Sequence, residues 1–253
     1  MRVALLSDLH ANWQALQACL AHARAQGVDQ WAVLGDLVGY GGDPVRVLDA
    51  VMDLQAQGAW VLRGNHDEMA LAPPADDGSS GASSAPWTHA QLQHAHRAFL
   101  QGLPLTHRHD HLLLVHASAQ DPARWRYVDS ARAAQACLDA APEGCRQVMV
   151  GHVHEQTMYY QGAGAGLMPF SPRPGAAVPL PRHRPWVATV GSVGQPRDGD
   201  PRAAYALWDD AQDSAGVDSL TFHRVPYDHE AAADAVRRAG LPEAFARRLR
   251  EAR

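Results

Sequence analysis

Short apolar runs alternate with amphipathic helical segments in the first part of the chain. The run 3–6 precedes a segment whose apolar residues recur at helical spacing, with Asn12 as a predicted N-cap and Gly27 as a predicted stop signal. The run 31–34 precedes a second such helix, and the run 60–62 follows it. Strands that are apolar throughout and alternate with helices predict a largely parallel sheet that is buried on both faces.

The second half of the chain continues the strands but with a different texture. Apolar runs at 111–115 and 147–150 again end in polar residues. Beyond them, shorter strands separated by turns are predicted near 157–160, 186–190, 203–208 and 219–225. The last thirty residues are predicted to be helical, with an interruption at 240–242. These elements predict an α/β protein in which residues 1–253 form one domain with two sheets.

Two segments of biased composition interrupt the regular pattern. Residues 73–86 are rich in Gly, Ser and Pro, which predicts a flexible surface loop. After this loop, the pair Thr88 and Gln91 has the spacing of a capping box that opens a helix. The Gly/Pro-rich segment 162–185 is too long for a simple turn. A lid, a dimerisation arm and disorder are all compatible with its composition.

The residues that directly follow the apolar strands are the candidates for chemistry. Each is Asp, Asn or His, and together they are Asp8, His10, Asp36, Asn65, His66, His116, His152 and His154. One such residue by itself is ordinarily a cap or a satisfied polar side chain. In open α/β sheets, however, the carboxyl ends of the strands lie along one rim, where ligands bind. A set of this size at one rim therefore indicates a metal site.

The types of these residues indicate which ions the site would hold. Mixed imidazole and carboxylate ligands suit Mn, Fe, Zn, Ni or Co, whereas Ca and Mg prefer oxygen ligands. The set is too large for one tetrahedral ion but suits two ions that share a carboxylate. Two divalent ions about 3.5–4 Å apart are the arrangement that promotes in-line displacement at phosphorus.

Composition and charge exclude several other classes of protein. The 253 residues are 46% hydrophobic and carry a formal net charge of −5, which argues against a nucleic-acid-binding surface. The basic stretch 236–250 has arginines at helical spacing among apolar residues, so a solvated helix face is favoured over a binding patch. Met1 leads almost directly into the first polar motif, and no apolar run reaches the length of a membrane span. Cys19, Cys137 and Cys145 form no Cys-x-x-Cys pair, so we expect free thiols in a cytoplasmic protein.

Five short motifs in order resemble those of the calcineurin-like metallophosphoesterase superfamily. They are Asp8-Leu-His10, Gly35-Asp36-Leu-Val-Gly-Tyr-Gly41, Gly64-Asn-His-Asp67, Val115-His116 and Gly151-His-Val-His154. The segment 191–205 extends the resemblance to small, single-domain bacterial and archaeal members, which include phosphodiesterases and dinucleoside-polyphosphate hydrolases. The resemblance implies a four-layer αββα sandwich of two mixed β-sheets flanked by helices. Two positions depart from the usual pattern: Ala117 replaces a glycine, and Thr189-Val190 replaces Asn-Pro.

The resemblance also assigns roles to these residues. It implies that Asp8, His10 and His154 bind one metal ion, that Asn65, His116 and His152 bind a second, and that Asp36 bridges the two. His66 matches a histidine that approaches the substrate without binding metal, and Asp67 matches a residue often paired with that histidine. Independently of the resemblance, Arg197 is a candidate substrate contact because its guanidinium fork suits phosphate oxygens.

These roles lead to a functional hypothesis with two alternatives. We expect a phosphoesterase that uses two divalent transition-metal ions, with Mn the ion expected to support activity in vitro. A hydroxide held between the ions would attack a phosphodiester or phosphoanhydride of a small nucleotide-type substrate. The alternatives are a phosphomonoesterase, including one that acts on phosphoproteins, and a non-catalytic scaffold, which is disfavoured because none of the matched ligands is missing. We expect a monomer or homodimer with no membrane or stable nucleic-acid partner.

Overall fold

The strands of the protein form two six-stranded sheets. A computed structural model describes residues 1–75, 78–162, 164, 166–211 and 216–253. Its strands are β1 (Arg2–Leu6), β2 (Gln30–Val33), β3 (Trp60–Val61), β4 (Thr106–His109), β5 (Leu112–Val115), β6 (Gln147–Val150), β7 (Gln156–Gln161), β8 (Leu167–Phe170), β9 (Ala177–Pro181), β10 (Trp186–Val190), β11 (Ala203–Asp209) and β12 (Val217–Val225). Its helices are α1 (Trp13–Ala25), α2 (Pro44–Ala56), α3 (Asn65–Leu71), α4 (Ser80–Gln91), α5 (His94–Gly102), α6 (Ala131–Asp139), α7 (His229–Arg238) and α8 (Glu243–Glu251), with a 3-10 turn at Pro122–Arg124.

Both sheets are mixed. The first has the order β3-β2-β1-β11-β12-β9, in which β1, β2 and β3 are parallel and the later strands are antiparallel. The second has the order β4-β5-β6-β10-β7-β8, in which β5, β6 and β10 are parallel. The two sheets pack face to face between helices, as the predicted αββα sandwich requires.

The alternation of side chains along β1 explains why the strand is apolar throughout. Val3 and Leu5 lie in the core between the two sheets, whereas Ala4 and Leu6 lie in the core between the first sheet and its helices. All four are fully buried. Successive side chains of a strand point to opposite faces, so a strand with a packed layer on each side contains no position for a polar residue.

The helix signals of the sequence are accurate near the N-terminus. The Asn12 side chain accepts a hydrogen bond from the backbone N–H of Ala15 at 3.1 Å, which caps α1. Gly27 follows the helix with a φ of +72°, a conformation that glycine adopts without strain. Helix α2 begins at Pro44, as its fixed φ favours. The predicted N-cap and stop of α1 are therefore confirmed.

The predicted loop 73–86 and the capping box at Thr88 are wrong in part. Residues from Ser80 onward form α4, which begins after Ser79, whose hydroxyl accepts a hydrogen bond from Ala82 N–H at 3.2 Å. Thr88 lies buried inside that helix instead of capping the next one. Ala82 is also buried, so packing outweighs the low helix propensity of the Ser/Gly composition. Asp76 and Asp77 lie outside the described residues.

The segment 162–185 and the C-terminal helices complete the fold. The segment 162–185 contributes the edge strand β8 to one sheet and the edge strand β9 to the other; its residues Ala163 and Ala165 lie outside the described part. Helices α7 and α8 pack together around a separate apolar cluster that includes Tyr40 and Phe245. Within the described ranges, no helix has both the length and the apolar character needed to cross a membrane.

One glycine is required for the close approach of two loops below the strand ends. Gly194 N–H donates to the carbonyl of Asp8 at 2.9 Å, and a Cβ at Gly194 would lie 1.9 Å from the carbonyl oxygen of Leu9. We expect Gly194→Ala to lower the free energy of unfolding by about 1–3 kcal/mol, because the added methyl forces the backbone to move. Urea denaturation measures this difference. Gly102→Ala is the matched control, since a Cβ there meets nothing within 4 Å; equal effects of the two variants would contradict the prediction.

Candidate metal centre

The backbone at the strand ends has an unusual conformation. Positive φ angles occur at five of the candidate residues: Asp8 (54°), His10 (47°), Asp36 (52°), His152 (65°) and His154 (68°). A residue other than glycine in this region costs about 1–3 kcal/mol and is typically found at functional sites. Interlocking hydrogen bonds hold these turns, for example from Asp8 N–H to the Gly35 carbonyl at 3.0 Å.

Asp8 and Asp36, the two aspartates among the predicted ligands, each have one carboxylate oxygen that accepts a backbone hydrogen bond and one that faces imidazoles. Oδ2 of Asp8 accepts a hydrogen bond from the His152 N–H at 2.9 Å, and Oδ1 of Asp36 accepts one from the His66 N–H at 2.8 Å. Oδ1 of Asp8 has no hydrogen-bond partner and lies 3.2 Å from His154 Nε2. Oδ2 of Asp36 lies 3.4 Å from His116 Nε2. The backbone thus fixes both carboxylates with one oxygen directed into the centre.

Three imidazoles are oriented by backbone carbonyls through their Nδ1 atoms. The pairs are His10 Nδ1 with Val38 O (3.2 Å), His116 Nδ1 with Leu34 O (2.8 Å) and His154 Nδ1 with Gln195 O (2.6 Å). A carbonyl oxygen only accepts, so Nδ1 carries the proton in each pair and Nε2 faces inward. Metal-binding histidines are typically held by such a hydrogen bond to the outer ring nitrogen.

The inward-facing atoms are arranged for positive ions. Nε2 of His10 and Nε2 of His154 lie 3.0 Å apart, so in neutral rings two lone pairs face each other unless a cation lies near them. Nε2 of His152 is buried without a hydrogen-bond partner. Asn65 Oδ1 lies 3.2 Å from His116 Nε2. Buried donor atoms without hydrogen-bond partners, and nitrogen and oxygen atoms this close to one another, fit the binding of divalent metal ions.

The ligand atoms form three overlapping groups, and within each group all atoms lie within 4.8 Å of one another. The groups are Asp8-His10-His154, His10-Asp36-His66 and Asp36-His116-His152. The first and third match the two sets of ligands implied by the family resemblance, except that Asn65 is an amide. The structure therefore brings all seven predicted ligands together, with Asp36 between the two sets.

The pKa values of the imidazoles differ within the centre. Burial lowers the pKa of His10 and lowers that of His152 to about 4. Burial disfavours a charged His116 as well, but the Asp36 carboxylate outweighs this effect and raises the pKa of His116 to about 9. In the absence of a metal ion, the buried carboxylates thus attract a proton to an imidazole.

His66 and Asp67 are both buried, but their side chains have different neighbours. Oδ1 of Asp67 accepts from the N–H groups of Leu37 (2.8 Å) and Val38 (3.3 Å), and Oδ2 accepts from the Gly64 N–H at 2.9 Å. None of the described hydrogen bonds or ion pairs joins Asp67 to the His66 ring. The first turn of α3 directs the Asp67 carboxylate towards the loop that follows Asp36, away from the predicted pairing with His66. Asp67 instead holds that loop against α3.

The His66 ring lies beside the predicted metal ligands at the wall of a pocket. Its centroid lies 4.9 Å from that of His10 in an edge-to-face contact and 4.4 Å from that of Tyr40. The pocket has a volume of about 400 Å³ and also exposes Asn65 and the predicted substrate contact Arg197. Arg197 lies over the Tyr40 ring at 5.8 Å.

Three further residues of this pocket are not predicted by the sequence analysis. Tyr127, with 52% of its surface exposed, stacks on His152 at a centroid distance of 4.1 Å. Arg248 and Arg253 enter the pocket from α8 and the residues after it. The basic stretch 236–250 is therefore not only a solvated face. The signal for a binding role of this stretch is its local excess of arginine in a chain of net charge −5.

The two departures from the family pattern are accommodated. Ala117 is buried and is not among the described residues with positive φ, so a side chain costs nothing there. The Thr189 hydroxyl donates to the Glu155 carbonyl at 2.7 Å and accepts from the Thr157 N–H at 2.9 Å. These bonds tie β10 to β7 beside the strand end that carries His154.

Comparison with known proteins agrees with this architecture. Residues 1–213 match the model of the calcineurin-like phosphoesterase superfamily domain. The crystal structure of a metallophosphoesterase from Sphaerobacter thermophilus is 34% identical, covers 100% of both chains and superposes with a TM-score of 0.84. A hypothetical protein from Pyrococcus horikoshii has the same fold, with a TM-score of 0.73 at 20% identity over 98% of this chain and 97% of that one.

A curated relative spans nearly the same length. It is an uncharacterized protein of Methanocaldococcus jannaschii that is 27% identical over 253 residues, which is 98% of this chain and 96% of the relative. The family model covers most of the chain, and the similar structures extend over nearly all of it. The chain therefore belongs to the calcineurin-like phosphoesterase superfamily.

Proposed function

We propose that this protein is a metal-dependent phosphoesterase that hydrolyses a phosphodiester or phosphoanhydride of a small, nucleotide-type substrate. One observation carries the proposal: two groups of inward-facing ligand atoms meet at Asp36, directly beside a pocket that exposes His66 and Arg197. Family membership supports the same reaction class. The pocket, of about 400 Å³, has room for a small-molecule substrate.

Seven side chains of this centre are proposed to hold two divalent ions. Asp8, His10 and His154 would hold the first, Asn65, His116 and His152 the second, and Asp36 would contact both. When bound, such ions polarise phosphoryl oxygens and acidify water. Mn, Fe, Zn, Ni and Co all suit these ligands, and we expect Mn to support activity in vitro.

His66 is the proposed catalytic residue outside the metal coordination. Its ring lies at the boundary between His10 and the pocket, so a ring nitrogen can donate a proton or hydrogen bond to the leaving oxygen. Asp67 is proposed to have a positioning role, because its hydrogen bonds from the Leu37 and Val38 backbone N–H groups connect α3 to the loop after Asp36, while the one from Gly64 caps α3. Arg197 is proposed to bind a non-bridging phosphate oxygen.

An aromatic wall favours a nucleotide among small phosphoesters. Tyr127 presents an exposed ring at the pocket, and its other face is supported by His152. Amphipathic aromatic rings of this kind stack on flat apolar groups such as nucleobases. The pocket would then hold a base beside Tyr127 and a phosphate between the metal centre and Arg197.

A substrate panel tests the proposal. Metal-stripped protein with added Mn is assayed on a bis-aryl phosphate, an aryl monophosphate, a dinucleoside tetraphosphate and cyclic nucleotides. We expect metal-dependent turnover of diesters or anhydrides that exceeds turnover of the monophosphate. Faster turnover of the monophosphate would support a phosphomonoesterase, and no turnover of any compound would support a non-catalytic scaffold.

Metal binding should also be visible in stability. Because the ligand atoms converge only in the folded chain, Mn at about 100 times its dissociation constant should stabilise the protein by about 2.7 kcal/mol for each ion bound. Thermal unfolding with Mn and with a chelator measures this difference. An exposed-site variant, His94→Ala, should respond like the unmodified protein; an identical midpoint with Mn and chelator would contradict metal binding at the centre.

A further inference from the structure

Three arginines line the pocket beside the proposed metal centre. Arg197 comes from the loop between β10 and β11, Arg248 comes from α8, and Arg253 follows that helix. None of the described ion pairs involves these three arginines. By contrast, Arg237 on α7 contacts Asp234 and Glu243, and Arg250 on α8 contacts Glu230.

Helix α8 holds Arg248 in a fixed position. Phe245 and Leu249 on the same helix are buried, and the Phe245 ring lies 5.3 Å from that of Tyr40. After the helix, the Ala252 carbonyl accepts a hydrogen bond from the Gly199 N–H at 3.0 Å. This bond joins the end of α8 to the loop that carries Arg197. The end of the helix and the loop therefore lie side by side at the pocket.

Tyr40 lies at the same pocket as the two arginines. The Arg197 guanidinium lies over the Tyr40 ring at 5.8 Å. Arg248 lines the pocket together with Tyr40 and Arg197. Both arginines therefore line the same pocket as His66, whose ring also contacts Tyr40.

Positive charge without an acidic partner at a pocket suits an anionic ligand. The oxygens of one phosphoryl group at the metal centre would be contacted by the two proposed ions and by Arg197. Arg248 and Arg253 are then left for a group further along the substrate. Planar guanidinium groups bind phosphate oxygens with two parallel hydrogen bonds, which suits a neighbouring phosphoryl group.

We propose that Arg248, together with Arg253, binds a second phosphoryl group of the substrate, so that the enzyme prefers compounds with consecutive phosphoryl groups over single-phosphate esters. This inference rests on the proposed function, because it assumes that the first phosphoryl group occupies the metal centre. Arg248 is in this account a specificity-determining residue and takes no part in bond cleavage.

Kinetics of Arg248→Ala provide the first test. The KM for a dinucleoside tetraphosphate should rise about tenfold, as expected for the loss of a charge-assisted hydrogen bond at a half-exposed site. The KM for a bis-aryl phosphate should stay unchanged, since this compound has no second phosphoryl group. Arg247→Ala is the matched control, because it removes the same charge from the exposed side of α8. Arg248→Lys should restore part of the affinity.

Direct binding provides a second test that does not depend on turnover. A non-hydrolysable, methylene-bridged dinucleoside tetraphosphate is titrated into Mn-loaded protein by calorimetry. Arg248→Ala should weaken binding about tenfold relative to Arg247→Ala. If the unmodified protein hydrolyses none of the phosphoesters, the proposed function fails, yet this titration still decides whether Arg248 binds the polyphosphate chain.

Two results would overturn the inference. One is equal affinity of Arg248→Ala and Arg247→Ala for the tetraphosphate. The other is an equal loss of affinity for the tetraphosphate and the bis-aryl phosphate, which would indicate a general effect of α8 on the pocket. Arg248→Gln, which keeps most of the side-chain length, replaces the alanine variant if that variant fails to fold.

Discussion

Replacement of His66 with alanine is expected to reduce kcat about 10²–10⁴-fold, the range found for loss of a general acid or base, while the bound metal stays unchanged. The reason is geometric. The ring lies between His10 and the pocket, whereas all seven proposed ligands remain present. Turnover of a bis-aryl phosphate and elemental analysis of the same sample measure both quantities.

The control for this variant is another histidine in the same part of the chain. His94 begins α5 and is exposed, so His94→Ala should keep both activity and metal. Loss of metal from His66→Ala would contradict the assigned role, since His66 would then be a ligand. Retention of full activity would show that another group supplies the proton.

Replacement of Asp36 with asparagine should abolish both metal binding and activity. Its Oδ2 faces His116 Nε2 at 3.4 Å and His10 Nε2 at 3.8 Å, which belong to different ligand sets. Loss of a residue that only supports a ligand costs about 10–100-fold in metal affinity. The loss of a shared ligand should therefore exceed about a hundredfold, and the remaining activity should be at background.

Metal titration by calorimetry measures the effect of Asp36→Asn. The matched control is Asp53→Asn, which removes the same charge from the exposed face of α2. Since Oδ1 of Asp36 also accepts from the His66 N–H, a structural check of α3 by circular dichroism accompanies the titration. Unchanged affinity for both ions would refute the bridging position of Asp36.

The sequence predicts the strand-end residues well because two simple rules combine there. Parallel strands place their carboxyl ends at one rim, and the polar residues follow apolar runs directly. Asp8, Asp36 and His116 are examples, since each follows a largely buried parallel strand. What the sequence does not reveal is the positive φ at Asp8 and Asp36, because neither position contains glycine.

Features that depend on contacts between distant elements could not be predicted. The composition of α4 favours a loop, but its Gly81 packs against the His66 ring, where a Cβ would lie 3.1 Å from Cε1. Arg248 is distant in sequence from Arg197, and no periodicity indicates that α8 folds against the pocket. Gly42 is a sign of the neighbouring packing of α7, because a Cβ there would lie 2.4 Å from the Ala235 carbonyl oxygen on that helix.

Asp67 shows how adjacency in sequence can mislead. The residue follows His66 directly, which favours a pair, but successive residues of a helix point in different directions. Its carboxylate therefore reaches the Leu37 and Val38 amides, which belong to the loop after Asp36. The consequence is a positioning role, which only the folded structure reveals.

The central claim is that these seven ligands hold two ions that are needed for phosphoester hydrolysis. Its most direct test is the rate of bis-aryl phosphate hydrolysis by metal-stripped protein as Mn is titrated in. We expect no hydrolysis without metal, and a rate that saturates at about two equivalents of Mn per chain, as a two-metal site requires. A rate that is independent of added metal, or one that saturates at a single equivalent, would contradict it.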